Sequence, residues 1–124
     1  MKYFNWFRKN TQWGENSNFK YKKLKTVSSF SEVPEKTAED IYVVKSGEFN
    51  KWVMFMCPNQ CGERINVNLM KTRDPRWVLK VKKEKVTLHP SVVVETCGAH
   101  FWLHNSEAVW AYFSDEIPDN DKKS

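Results

Sequence analysis

The chain has 124 residues and 14.7 kDa, is 40% hydrophobic and 15% aromatic, and carries a formal charge of +5. That size allows one small domain with a modest core. No apolar run approaches the roughly 20 residues that a membrane-spanning helix needs. The start, Met1 to Lys9, lacks the apolar stretch and small-residue cleavage site of a secretory signal, so a cytoplasmic protein is expected.

Residues 1–30 read as a basic aromatic arm. Lys2, Arg8, Lys9, Lys20, Lys22, Lys23 and Lys25 face a single acid, Glu15, and alternate with Tyr3, Phe4, Trp6, Phe7, Trp13, Phe19 and Tyr21. Such a segment can bury its rings on its own core or on a partner and leave its lysines in water. It also has the composition that binds single-stranded nucleic acid, where bases stack on rings and lysines meet phosphates. Lys20, Lys22, Lys23, Lys25, Trp6 and Trp13 are the candidates for that role. Weak adhesion to an anionic membrane surface is a third reading.

Residues 31–113 read as a β domain. The best helix signal is Ser31 to Asp40, with Ser31 as cap and Pro34 in the first turn. Strands are expected at Asp40–Lys45, ending at Ser46-Gly47, and at Lys51–Cys57, which is apolar enough to be covered on both faces. Arg64–Leu69 alternates, with Ile65, Val67 and Leu69 inward, and Trp77, Leu79 and Val81 repeat the pattern after a turn at Asp74-Pro75. Lys80, Lys82, Lys83 and Lys85 form a second basic stretch, read as the wet face of a hairpin. Ser91 to Glu95 is a β-branched run, and His100–His104 with Ala108–Phe113 form a hairpin around Asn105-Ser106. Residues 114–124 are acidic, then lysine-rich, and read as a disordered tail. The fold class expected is mostly β: a small, zinc-ribbon-like antiparallel domain with little helix.

The three cysteines fall as Cys57-Pro-Asn-Gln-Cys61-Gly and Cys97-Gly-Ala-His100. Two ligand pairs on short turns, far apart in sequence, suit a four-coordinate Cys3His zinc site. Gly62 and Gly98 follow directly and let the backbone curl around a bound sulfur. An odd cysteine count strands one thiol in any disulfide scheme, and three residues separate Cys57 from Cys61 where a redox pair has two. The expected ligands of one structural zinc are Cys57, Cys61, Cys97 and His100. His104 and His89 are the alternatives to His100. Bound zinc contributes about 10–16 kcal/mol to the folding of finger peptides, a large amount for a core this small.

Several motifs resemble those of a family of small bacterial and phage proteins classed as a domain of unknown function. They read here as Cys57-Pro-Asn-Gln-Cys61-Gly-Glu63, Trp77-Val-Leu79, Leu88-His-Pro90-Ser91-Val92, Cys97-Gly-Ala-His100-Phe101-Trp102 and Val109-Trp110, and cover about Glu32 to Phe113. The resemblance implies a zinc-binding, β-rich domain. Members are often encoded near bacterial ubiquitin-like conjugation genes, which implies an accessory role with protein partners there. Many members carry a further cysteine where this chain has Asn59, so the middle cysteine is not taken as a ligand.

The sequence does not predict catalysis. Glu63 beside the first knuckle invites comparison with zinc hydrolases, but four protein ligands leave no position for water. Its expected role is a pair with Arg64 or bonds from amides. The deaminase signature is absent. Ser91 lacks a Gly-x-Ser-x-Gly elbow, so a serine nucleophile is not expected. The expectation is therefore a non-enzymatic zinc-binding interaction module, accessory to a bacterial or phage ubiquitin-like conjugation or defence system. The alternative is a nucleic-acid-binding zinc protein using the N-terminal arm.

Overall fold

A computed structural model describes residues 19–111. Trp6, Trp13 and the rest of the arm before residue 19, and the tail 114–124, lie outside the described residues.

Among the described residues the chain forms ten strands and one 3-10 turn, so the mostly β, antiparallel expectation holds. In chain order the strands are β1 (Phe19–Lys20), β2 (Leu24–Val27), β3 (Ile41–Ser46), β4 (Phe49–Met56), β5 (Arg64–Asn68), β6 (Val78–Lys82), β7 (Lys85–His89), β8 (Val92–Val94), β9 (Ala99–His104) and β10 (Glu107–Trp110). One sheet has the order β2-β3-β4-β5, with β2 and β3 parallel, and a second has the order β1-β10-β9-β8. The β6–β7 hairpin stands apart from both ladders.

The two sheets close on one core. Ile41, Val43, Val53, Phe55 and Val67 come from the first, Val92, Val94, Ala99, Phe101, Leu103 and Ala108 from the second, and Val86 and Leu88 from β7. Phe55 and Phe101 meet edge to face across the join, with ring centres 6.2 Å apart. The apolar run in β4 is covered on both sides, as its composition demands. Val53 and Phe55 face the core, while Met54 packs on the reverse with Val33, Tyr42 and Val44. The second sheet differs, because alternation leaves Val93, His100, Trp102, His104 and Glu107 on its outer face.

Two segments depart from the expected local structure. The helix expected at Ser31–Asp40 is only a 3-10 turn at Phe30–Glu32. Pro34 disfavours a helical residue before it, and Val33 is extended at φ −88, ψ 124. Residues 19–27 lie within the expected arm, yet they form β1 and β2. Tyr21 between them is buried and donates a 2.6 Å hydrogen bond to the Met56 carbonyl. The β9–β10 turn is as expected: Asn105 and Ser106 take φ of 51° and 63°, the paired positive values of a tight hairpin.

Candidate functional site

The three cysteines meet where β4 ends and where β8 turns into β9. Cys57 follows the last residue of β4, and its turn is closed by Cys57 N–H to Glu63 O at 2.9 Å and Gln60 N–H to Cys57 O at 3.0 Å. Gly62 supplies φ +91° there. Cys97 lies in the β8–β9 turn, where Gly98 at φ +78° brings its N–H 2.7 Å from Val94 O. The sulfurs of Cys57, Cys61 and Cys97 lie within 4.8 Å of one another, and those of Cys57 and Cys97 are 3.6 Å apart. These thiols are close enough to hold a metal ion. A tetrahedral zinc with 2.3 Å bonds sets its sulfurs roughly 3.8 Å apart, so the spacing fits that ion. Burial pushes the Cys57 thiol far above its ordinary pKa, Cys97 and Cys61 add to the rise, and the Asn59 backbone opposes it.

No histidine joins this cluster among the described residues. His104 lies 3.4 Å from the Asn105 side-chain amide, and His89 tilts against Trp102 with ring centres 6.3 Å apart. His100, the expected fourth ligand, is engaged elsewhere. Its Nε2 is 2.8 Å from Ser91 Oγ.

That contact follows from strand register. β8 and β9 pair antiparallel with Val93 opposite His100, so their side chains share the outer face. Ser91, two residues before Val93, shares that face and sits diagonally across from His100. Both residues are half-buried. Backbone directions agree: His100 O accepts from Ala111 N–H at 3.0 Å, away from β8, and Val94 O points into the hairpin. Val93 therefore turns its N–H and C=O outward, along an edge that no described strand pairs with. Trp77 anchors the Ser91 backbone, its Nε1 donating to Ser91 O at 3.2 Å.

A cavity of about 520 Å³ adjoins this pair, lined by Lys71, Asp74, Arg76, Val78, His89, Pro90 and Trp102. Pro90 precedes Ser91 directly, and Trp102 is the next residue after His100 on the same face of β9.

A family described as "Bacterial ubiquitination-like system serine protease (BubE)" matches residues 27–111. The chain belongs to this family. The BubE match spans Ser91, His100 and all three cysteines. No curated protein and no solved structure matches the chain. The match confirms the expected association with a bacterial ubiquitination-like system.

The same match overturns two expectations. The chain was expected to be a non-enzymatic module, and a family named for a serine protease points to an enzyme. The nucleic-acid alternative gains nothing from it. Of the candidate lysines, Lys22 pairs with Glu39 at 2.9 Å, and Lys25 pairs with Asp40 at 3.2 Å beside the Tyr42 ring. Lys20 lies in β1 opposite Glu107, and Lys23 is exposed. The physical reason for the error is that an elbow motif marks a serine on a strand-to-helix turn. Here Ser91 directly precedes β8 and meets His100 of the paired strand β9 instead. The readable signal was the β-branched run after Ser91, which puts Ser91 on the face of Val93. At Glu63 the backbone carbonyl accepts from the Cys57 amide and closes its turn, while Arg64 donates to Pro34 O at 2.9 Å.

No described helix is long and apolar enough to cross a membrane.

Proposed function

We propose that this chain is a serine peptidase in which Ser91 is the nucleophile and His100 the general base. The observation that carries this reading is the 2.8 Å contact between Ser91 Oγ and His100 Nε2, in a chain whose family is named for a serine protease. With the hydroxyl donating to Nε2, the imidazole takes the proton as Oγ bonds to the substrate's carbonyl carbon. The resulting tetrahedral species expels the amine, which carries away the proton from His100. An acyl ester on Ser91 remains. Water then attacks that ester, again losing its proton to His100, which passes it to Oγ as the ester bond breaks, so the serine hydroxyl is restored and a carboxylic acid leaves. The outward N–H and C=O of Val93 suit a peptide bound in extended form, since an added strand exchanges both bonds with such a residue.

We further infer that Cys57, Cys61 and Cys97 hold one zinc ion. The ion would supply structural cement between two turns, fixing Cys97 in the turn three residues before His100. The fit of the sulfur spacing supports this. Reduced thiolates suit the cytoplasm, and the family description suggests a protein substrate or partner within the ubiquitination-like system.

The test is covalent labelling with a fluorophosphonate, read by intact mass and peptide mapping. One adduct on Ser91, absent in Ser91→Ala and strongly reduced in His100→Ala, is expected. A folded protein that takes no label, or takes it elsewhere, would refute the assignment.

A further inference from the structure

The cavity beside Ser91 contains charge that the rest of the fold does not balance. Lys71 and Arg76 line it, and neither takes part in an ion pair or side-chain hydrogen bond among the described residues. Asp74 is the one acid in the lining, and it pairs with neither cation. This contrasts with Lys22 and Lys25, which have acidic partners in Glu39 and Asp40. The uncompensated charge continues along the hairpin, because Lys80 and Lys82 share the face of Val78 in β6. Val78 itself lines the cavity.

The cavity's place relative to the reaction is set by two covalent neighbours. Pro90 fixes one wall one residue before the nucleophile, and Trp102 forms another beside His100. Trp102 is only 6% exposed, and its Nε1 has no hydrogen-bond partner among the described residues. Whatever occupies this space therefore lies within a residue or two of the bond under attack. The apolar surfaces of Pro90, Val78 and Trp102 can hold a side-chain stem while the cations meet its head.

We propose that this cavity selects a carboxylate on the peptide being cleaved, with Arg76 and Lys71 as the specificity-determining residues. The inference rests on the peptidase reading. An acidic side chain near the scissile bond and a free C-terminal carboxylate carry the same chemistry, and the guanidinium of Arg76 can grip either in two-pronged fashion. The lysines of β6 extend the positive field outward and would steer acidic segments toward the site, increasingly so at low salt.

The experiment uses the full chain and internally quenched peptides of two kinds. One set is C-terminally amidated with Glu, Gln or Lys at successive positions, and the other is neutral with a free or amidated terminus. Roughly three- to tenfold faster turnover is expected for the carboxylate-bearing peptides, the range open to one or two partly solvated ion pairs. In Arg76→Glu/Lys71→Glu that preference should invert toward the Lys peptides while fluorophosphonate labelling of Ser91 is retained. The neutral pair Arg76→Gln/Lys71→Gln, which adds no new charge, should abolish the preference without inverting it. The set that responds tells a side-chain carboxylate from a terminal one. Equal turnover of all peptides by an enzyme that labels at Ser91, or an unchanged preference in both double variants, overturns the proposal and leaves the peptidase reading standing. Failure of the wild type to label at Ser91 is the separate result that removes the peptidase reading and this subsite together.

Discussion

The thiol cluster and the Ser91–His100 pair share the β8–β9 hairpin through Cys97, yet the sequence exposes them very differently. Cys57, Cys61 and Cys97 are visible as motifs because each pair or single lies on a turn whose glycine is adjacent in sequence. Ser91 and His100 meet only because β8 and β9 pair in one particular register, with Val93 opposite His100. A turn is local chemistry, while a register is the outcome of packing Val92, Val94, Ala99 and Phe101 inward together. One lesson is that a Cys-x-x-His spelling does not decide what its histidine touches. Cys97 lies in the turn, but His100 is already one residue into β9, on its outer face and in contact with Ser91.

The largest effect expected separates the two regions outright. Ser91→Ala should lower peptide turnover by at least roughly 10³-fold, as loss of a serine nucleophile does, with thermal stability unchanged within measurement. His100→Ala should match it in activity and keep any bound zinc, read by native mass spectrometry. Zinc lost with His100 would instead restore the histidine to the metal site and sink the division drawn here.

Cys97→Ser provides the complementary break. Loss of one thiolate from a three-cysteine site should release the metal and cost stability on the order of several kcal/mol, read as a fall in Tm. Activity should fall with it, because the β8–β9 turn positions the base. If Cys97→Ser keeps its Tm and is indifferent to chelators, the cluster is three packed thiols and no more.

Phe101→Ala tests the register that joins the regions. Phe101 is fully buried at the meeting of the two sheets and should cost about 3–5 kcal/mol on removal. Phe101→Leu should cost less and leave the Ser91–His100 contact in place. Activity lost in Phe101→Leu without a matching loss of stability would show that the pairing of β8 with β9 has shifted.

Legibility follows the same division. Strands β3, β4 and β5 are readable because their alternation or continuous apolarity is set by how many faces are covered, and Val53, Met54 and Phe55 are buried on opposite faces as the pattern implies. The tight turn at Asn105-Ser106 is readable from its residue types alone. The Ser31–Asp40 helix failed because a capping signal outweighed the lack of any 3.6-residue apolar period, and only Val33 and Thr37 are buried there. The part of the expected arm from Phe19 to Val27 joins the sheets because Tyr21 finds a buried carbonyl at Met56, a long-range partner that no local pattern announces.

The smallest expected effect concerns the edge of β8. Val93→Pro removes one outward N–H at an edge position that tolerates proline, and its side chain is already 57% exposed. Loss of one backbone hydrogen bond to substrate, about 1 kcal/mol, should slow peptide turnover several-fold. Val93→Ala keeps the N–H and should not. A small activated ester, too short to form a strand, should be hydrolysed at the same rate by both variants. Equal slowing on ester and peptide would mean that proline has disturbed Ser91 itself, two residues away. Equal rates on the peptide would mean that substrate reaches the serine without using this edge, leaving the cavity at Trp102 as its sole guide.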